Sequence, residues 1–185
     1  MLLTEDDIYM SRAISQAGEQ LKRYGIDDGG ERPNPFVGCV VVRQDGEWKA
    51  GYRGEFAHPD HAEYTVMEKK FDRNDLLSGA TVYTTLEPCI ERNPPKIACA
   101  DRLIERDVRR VVIGMLDPDG RGQGARKLLE HGLTVAVYPL HHELSRQIRE
   151  MNRVFIKSRN RSSANKVPVV APERPDTVRV FRELR

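Results

Sequence analysis

The chain has 185 residues, of which 39% are hydrophobic and 31% charged, and it carries a net charge of +2. That length suits one domain with one sizeable core, and no apolar run approaches membrane-spanning length. No signal-peptide pattern opens the sequence, and three Cys fit a reduced compartment better than a disulfide framework, so a cytoplasmic protein is expected.

Thr4-Glu5-Asp6-Asp7 can cap a first helix, with Asp7 in the place where Glu is the more usual partner. Ile14, Ala17 and Leu21 mark one face of that helix. Gly25 to Asn34 reads as a turn-rich loop. Val37 to Arg43 is a strand, Asp45-Gly46 a turn, and Glu47 to Arg53 the hairpin partner. Cys39 falls inside the apolar run of the first strand and is expected to be buried as a small hydrophobe.

A helix is expected from His61 to Phe71, with Ala62, Val66 and Met67 placed for burial. Thr81 to Leu86, β-branched and aromatic, is a strand. Ala98 to Arg106 is a helix, Val108 to Met115 a buried strand, Gly124 to His131 a short helix, and Leu133 to Tyr138 a last strand. Strands joined through a helix run parallel by a right-handed crossover. The expected architecture is a mixed sheet of five strands covered by helices, an α/β layered domain.

Four residues along this path carry chemistry. His61 and Glu63 stand at the start of one helix, and Cys89 and Cys99 follow the strand Thr81 to Leu86. One imidazole and two thiolates fill three corners of a zinc tetrahedron and leave the fourth to water, whereas a structural zinc usually takes four protein ligands. His58 is the one nearby candidate for a fourth, and before a Pro it reads as a solvated loop or substrate-rim residue. Glu63, two residues from a ligand, can reach the water without occupying the metal and is suited to moving protons. Helix starts beside strand ends also favour thiolate over thiol.

Leu140, Leu144, Ile148, Met151 and Phe155 recur at helical spacing, and this last helix is expected to pack on its own sheet or on another subunit. Residues 1–157 are expected to form the domain, and 158–185 a poorly packed extension. Ser158 to Arg185 holds three Pro and carries seven Lys or Arg against three Asp or Glu, leaving the body at −2. A mildly acidic body is not the electrostatics of a nucleic-acid groove. The macromolecular partners expected are further copies of the chain, as a dimer or tetramer, with no membrane.

His61-Ala62-Glu63, then Pro88-Cys89, then Cys99, resembles the signature of zinc-dependent nucleobase deaminases. Pro33-Asn34-Pro35-Phe36-Val37-Gly38, Thr84-Thr85-Leu86-Glu87-Pro88-Cys89, Pro94-Pro95 and Asp117-Pro118 are most similar to the deaminase domain of riboflavin biosynthesis (diaminohydroxyphosphoribosylaminopyrimidine deaminase), within the cytidine-deaminase-like superfamily. The likeness runs from about Asp7 to about Phe155. It implies a three-layer α/β/α fold and a zinc-dependent deaminase that hydrolyses a cyclic amidine in a small pyrimidine-like heterocycle or nucleotide. In that implied site His61, Cys89 and Cys99 bind zinc, Glu63 shuttles protons, Asn34 contacts substrate, and the Ala62 backbone nitrogen helps hold the base. Pro-Asn-Pro is equally the signature of a plain turn.

The chain departs from that family between the cysteines. Nine residues separate Cys89 from Cys99 where eight are usual, and Ile90-Glu91-Arg92-Asn93 stands in place of a His and a Gly-Arg-Thr stretch. Arg92, Lys96 and Arg121 are candidates to hold a phosphate, or simply solvated loop cations. Two other readings stay open. A transfer-RNA-type adenosine or cytidine deaminase would usually set its cysteines two residues apart, and a non-catalytic zinc module would have no need of Glu63.

Overall fold

A computed structural model describes residues 3–25, 33–57, 59–120 and 122–164. The chain runs α1 (Glu5–Tyr24), β1 (Gly38–Val42), β2 (Trp48–Tyr52), α2 (Ala62–Tyr64) continuing as a π-helix (Thr65–Lys70), β3 (Thr81–Leu86), α3 (Cys99–Glu105), β4 (Arg110–Met115), α4 (Gln123–Glu130), β5 (Thr134–Val137), α5 (Glu143–Met151) and α6 (Arg153–Ala164). One sheet has the order β2-β1-β3-β4-β5. β1 is antiparallel to β2 and β3, while β3, β4 and β5 run parallel. Helices α1 and α5 pack together on one face, and α2, α3 and α4 cover the other. The fold is the expected three-layer α/β/α arrangement.

Every residue of β1 is buried, as is nearly all of β3 and β4. Strands covered on both faces read as continuous apolar runs, which is why Val40-Val41-Val42 and Val111-Val112-Ile113 show no alternation. The Asp45-Gly46 turn closes the β1–β2 hairpin with Gly46 at φ 88°, a left-handed conformation that costs glycine least.

The first helix is capped as its sequence suggests. Thr4 Oγ1 accepts from Asp7 N at 3.1 Å, and the Asp7 carboxylate accepts from Thr4 N at 3.0 Å, so the shorter acid still closes the box. Its buried stripe is Met10, Ala13, Ala17 and Gln20, one step round from the expected Ile14–Ala17–Leu21 face. Close approach decides this. A Cβ at Gly38 would lie 1.9 Å from Ala13 O, so the helix meets β1 through its small residues rather than its largest ones.

Two elements differ from expectation. The segment after His61 is α-helical for one turn and then widens, with Phe71 N donating to Val66 O at 3.0 Å, an i→i+5 bond. The single last helix is two, broken at Asn152. The Asn152 side chain leaves helical duty to bind across the fold: its Oδ1 accepts from Phe36 N at 2.8 Å, and its Nδ2 donates to Phe36 O at 3.1 Å. Ile148 is buried and Leu144 packs on the core, so this stripe faces its own sheet. α6 continues through position 158 to Ala164. His58, Arg121 and residues 165–185 lie outside the described residues.

Candidate active site

His61 is the N-cap residue of α2 and Cys99 the first residue of α3, while Cys89 lies just beyond β3. All three therefore gather at the carboxyl ends of the parallel strands, where open α/β sheets present their polar chemistry. His61 Nδ1 is 3.5 Å from Cys89 Sγ and 3.3 Å from Cys99 Sγ. The three donor atoms lie within 4.8 Å of one another, and among the described residues this is the one such group.

The spacing fits a zinc ion. Bonds of about 2.3 Å to sulfur and 2.0–2.1 Å to nitrogen at tetrahedral angles put neighbouring S and N donors about 3.6 Å apart. The charge distribution suits it too. Cys89 is held down to about 4 by a hydrogen bond from the Cys99 thiol, which outweighs burial, with help from His61 and from the Cys99 backbone N–H at 3.4 Å. Cys99 is pushed well up, because it is the hydrogen-bond donor of the pair and is also buried. A sulfur favoured as thiolate, beside a second sulfur and an imidazole, is a donor set that suits a zinc ion.

Glu63 is 3% exposed and stands against this group. Its Oε2 accepts from Cys99 Sγ at 3.4 Å and its Oε1 from Thr84 Oγ1 at 3.4 Å. Burial raises its carboxyl above the ordinary carboxylate range, although the nearby His61 charge pulls the other way. A carboxyl raised in this manner can both accept and return a proton. The thiol of Cys39, fully buried beneath, is pushed well up by burial and by the Glu63 charge, and stays an inert core residue.

A cavity of about 210 Å³ opens over His61, Ala62, Glu63 and Cys89, with Asn34, Arg53, Phe155 and Arg159 also in its wall. That is below the roughly 300–1,000 Å³ of sites that enclose drug-sized ligands, so it holds a single ring and leaves any substituent at the mouth. Asn34 lines the cavity. Arg53 Nη2 donates to Asn34 Oδ1 at 2.9 Å. Because a guanidinium can only donate, this contact fixes the amide's orientation and leaves its N–H₂ for another acceptor. As the first residue of α2, Ala62 has an N–H with no acceptor within its own helix.

Glu87 orders the opposite wall. Its carboxylate accepts from Asp117 N at 2.9 Å, Gly122 N at 3.1 Å and Ala125 N at 2.9 Å, which ties the loop 117–125 to the end of β3. A Cβ at Gly124 would lie 2.2 Å from Pro88 O, so glycine is needed for that closeness.

Of the loop cations that the sequence leaves open between phosphate binding and solvation, Arg121 lies outside the described residues. Arg92 and Lys96 line an outer groove with Glu91, Asn93 and Asp101 rather than the cavity. Arg53 and Arg159 are in the cavity wall instead. The i, i+4 step from Phe155 to Arg159 was the available signal, and it becomes useful only once α6 is seen to run past 158.

Comparison with known proteins adds lineage to this geometry. Residues 6–115 match the family described as the cytidine and deoxycytidylate deaminase zinc-binding region. The chain is 40% identical over 131 residues to the riboflavin biosynthesis protein RibD of Actinobacillus pleuropneumoniae, covering 69% of this chain and 31% of that protein. It is 33% identical to the diaminohydroxyphosphoribosylamino-pyrimidine deaminase of Buchnera aphidicola, covering 82% of this chain and 94% of that one. Among solved structures, the deaminase/reductase of Thermotoga maritima superposes with a TM-score of 0.68 at 30% identity, over 85% of this chain and 42% of the other. The chain spans about a third of the length of most of the curated relatives it matches.

Proposed function

The chain belongs to the zinc-binding cytidine and deoxycytidylate deaminase family, and we propose that it is a hydrolytic deaminase that releases ammonia from a small pyrimidine-like heterocycle carried as a nucleotide. The single observation that carries this is the buried Glu63 carboxyl set beside the His61–Cys89–Cys99 group at the floor of a ring-sized cavity. The name of the Buchnera relative supports the substrate class.

In this proposal zinc is held by His61 Nδ1, Cys89 Sγ and Cys99 Sγ, and when bound it lowers the pKa of a water towards neutrality. His61 then carries its proton on Nε2. Glu63 takes the proton of the attacking water on a carboxyl oxygen and gives it to the ring nitrogen. It next takes the remaining proton of that water, from the hydroxyl now on the ring carbon, and delivers it to the amine as the C–N bond breaks, so that water is consumed and ammonia released. Thr84 Oγ1, 3.4 Å from Glu63 Oε1, is placed to keep the carboxyl from turning away. Asn34, oriented by Arg53, offers its N–H₂ to a ring acceptor, and the Ala62 N–H offers a second donor.

We further propose that the protein works as a cytoplasmic homo-oligomer, a dimer or tetramer. The three free cysteines support the compartment, and the large apolar side chains left on the surface, such as Phe56, Leu76 and Leu140, support the assembly. Among the described residues no helix is long and apolar enough to cross a membrane.

The test is ammonia release from the purified chain across free bases, nucleosides, nucleotides and transfer RNA. Turnover of a monomeric pyrimidine-like nucleotide is the expected result. Turnover of transfer RNA alone would replace this reading with a nucleic-acid deaminase.

A further inference from the structure

The proposed chemistry uses one nitrogen of Arg53, to orient Asn34, and leaves Arg159 in the same cavity wall without a task. Arg53 is 8% exposed, and the charges bearing on it are those of Arg92 and Tyr24 rather than a carboxylate among the described residues. A buried charge of this kind is expensive unless something pairs with it. Arg159 reaches the same cavity from α6, its guanidinium 5.1 Å above the Phe155 ring. Its Nη1 meets the half-exposed Asp119 at 3.2 Å, while its Nε is buried with no hydrogen-bond partner among the described residues.

The acidic groups of the cavity are engaged elsewhere. Glu87 spends both oxygens on three backbone N–H groups. Asp117 Oδ1 accepts from Asp119 N at 2.9 Å, and Glu63 faces the cysteines. A cavity of about 210 Å³ takes a ring and directs whatever the ring carries towards the mouth. Guanidinium groups offer forked donors that match a phosphate's oxygens better than a lysine's single ammonium does.

We propose that Arg53 and Arg159 form the phosphate-binding subsite of this cavity and that their guanidinium groups grip a phosphate monoester borne by the substrate. This rests on the deaminase reading for what occupies the floor. It moves the phosphate role away from Arg92 and Lys96 and gives α6 a part in substrate choice.

The test reads binding, so it does not depend on turnover. Ribose 5-phosphate and ribose are titrated into the full chain by calorimetry. The phosphate monoester is expected to bind and ribose not. Arg53→Met and Arg159→Met should each weaken binding by roughly 10- to 100-fold, the range for a lost charge-assisted hydrogen bond. Arg53→Lys and Arg159→Lys keep the charge without the fork and should lose roughly 3- to 10-fold, which decides the matter if a Met variant does not fold. Arg92→Met should bind as the parent does. Equal binding of ribose, unchanged affinity in folded Arg53 and Arg159 variants, or an equal loss in Arg92→Met would overturn the subsite. Ribose 5-phosphate binding without ammonia release from any substrate would sink the deaminase reading and leave the subsite standing.

Discussion

Cys99 Sγ lies 3.3 Å from His61 Nδ1, although 38 residues separate them in the chain. β3 runs between the two, and the crossover after it returns the start of α3 to the start of α2. The first prediction follows from that proximity. One zinc should bind per chain, and a Cys89→Ser/Cys99→Ser variant should bind almost none, because one imidazole alone makes a poor site. Metal analysis of purified protein checks both. Equal zinc in parent and double variant would refute the ligand assignment.

The α2–α3 junction holds that site together through a buried ion cluster. Glu68, with 7% of its side chain exposed, pairs with Arg102 at 2.9 Å and Arg106 at 3.0 Å, and Arg106 also donates to Met67 O and Asp72 O. Removing one partner of a buried pair leaves an uncompensated charge and typically costs about 3–5 kcal/mol. Glu68→Ala should therefore lower Tm by roughly 10 °C in a domain of this size. A thermal melt within about 2 °C of the parent would show that the cluster is better solvated than its burial indicates.

Acid sensitivity should arise at the opposite end of the sheet. Burial would raise the Asp6 carboxyl, but the hydrogen bond and charge of Arg110 and the Tyr83 hydroxyl outweigh it and hold the group below the ordinary Asp value. Asp7 is likewise lowered despite burial, by Thr4, Tyr138 and the His142 charge. A carboxyl lowered in the fold contributes its full stability above its unfolded value of about 3.9, and loses it as pH falls through the lower folded value. Urea unfolding of the parent should weaken steeply below pH 4, and Asp6→Asn should show a shallower decline over the same range. Parallel pH profiles for the two proteins would count against this.

Truncation separates the helix from the tail. The sequence suggests a poorly packed extension over 158–185, whereas α6 runs on to Ala164 and Arg159 stands in the cavity wall. Deleting 158–185 should raise KM for the substrate at least roughly tenfold while kcat falls less, the pattern of lost binding rather than lost chemistry. Deleting 165–185 should leave both close to the parent. Identical kinetics for the two truncations would remove α6 from the site.

These cases show what the chain makes legible. The sheet could be read because buried parallel strands are long apolar runs, and the His, Glu and Cys group because few other tasks need those residue types in that order. The phase of α1 could not, since it is set by how closely Ala13 and Ala17 let the helix approach Gly38. Arg53 and Arg159 were missed for a different reason. A cation's residue type says nothing of its direction, and only the path of β2 and α6 turns these two inward while Arg92 and Lys96 face an outer groove.

The central claim is that Glu63 moves the protons of a hydrolysis at a metal held by other residues. Ammonia release and zinc content measured together on Glu63→Ala test it most directly. Zinc should remain at one per chain, while turnover of the nucleotide substrate falls by at least roughly 100- to 10,000-fold, the range for a general acid–base group. Near-parental ammonia release with zinc retained would show that another group carries the proton.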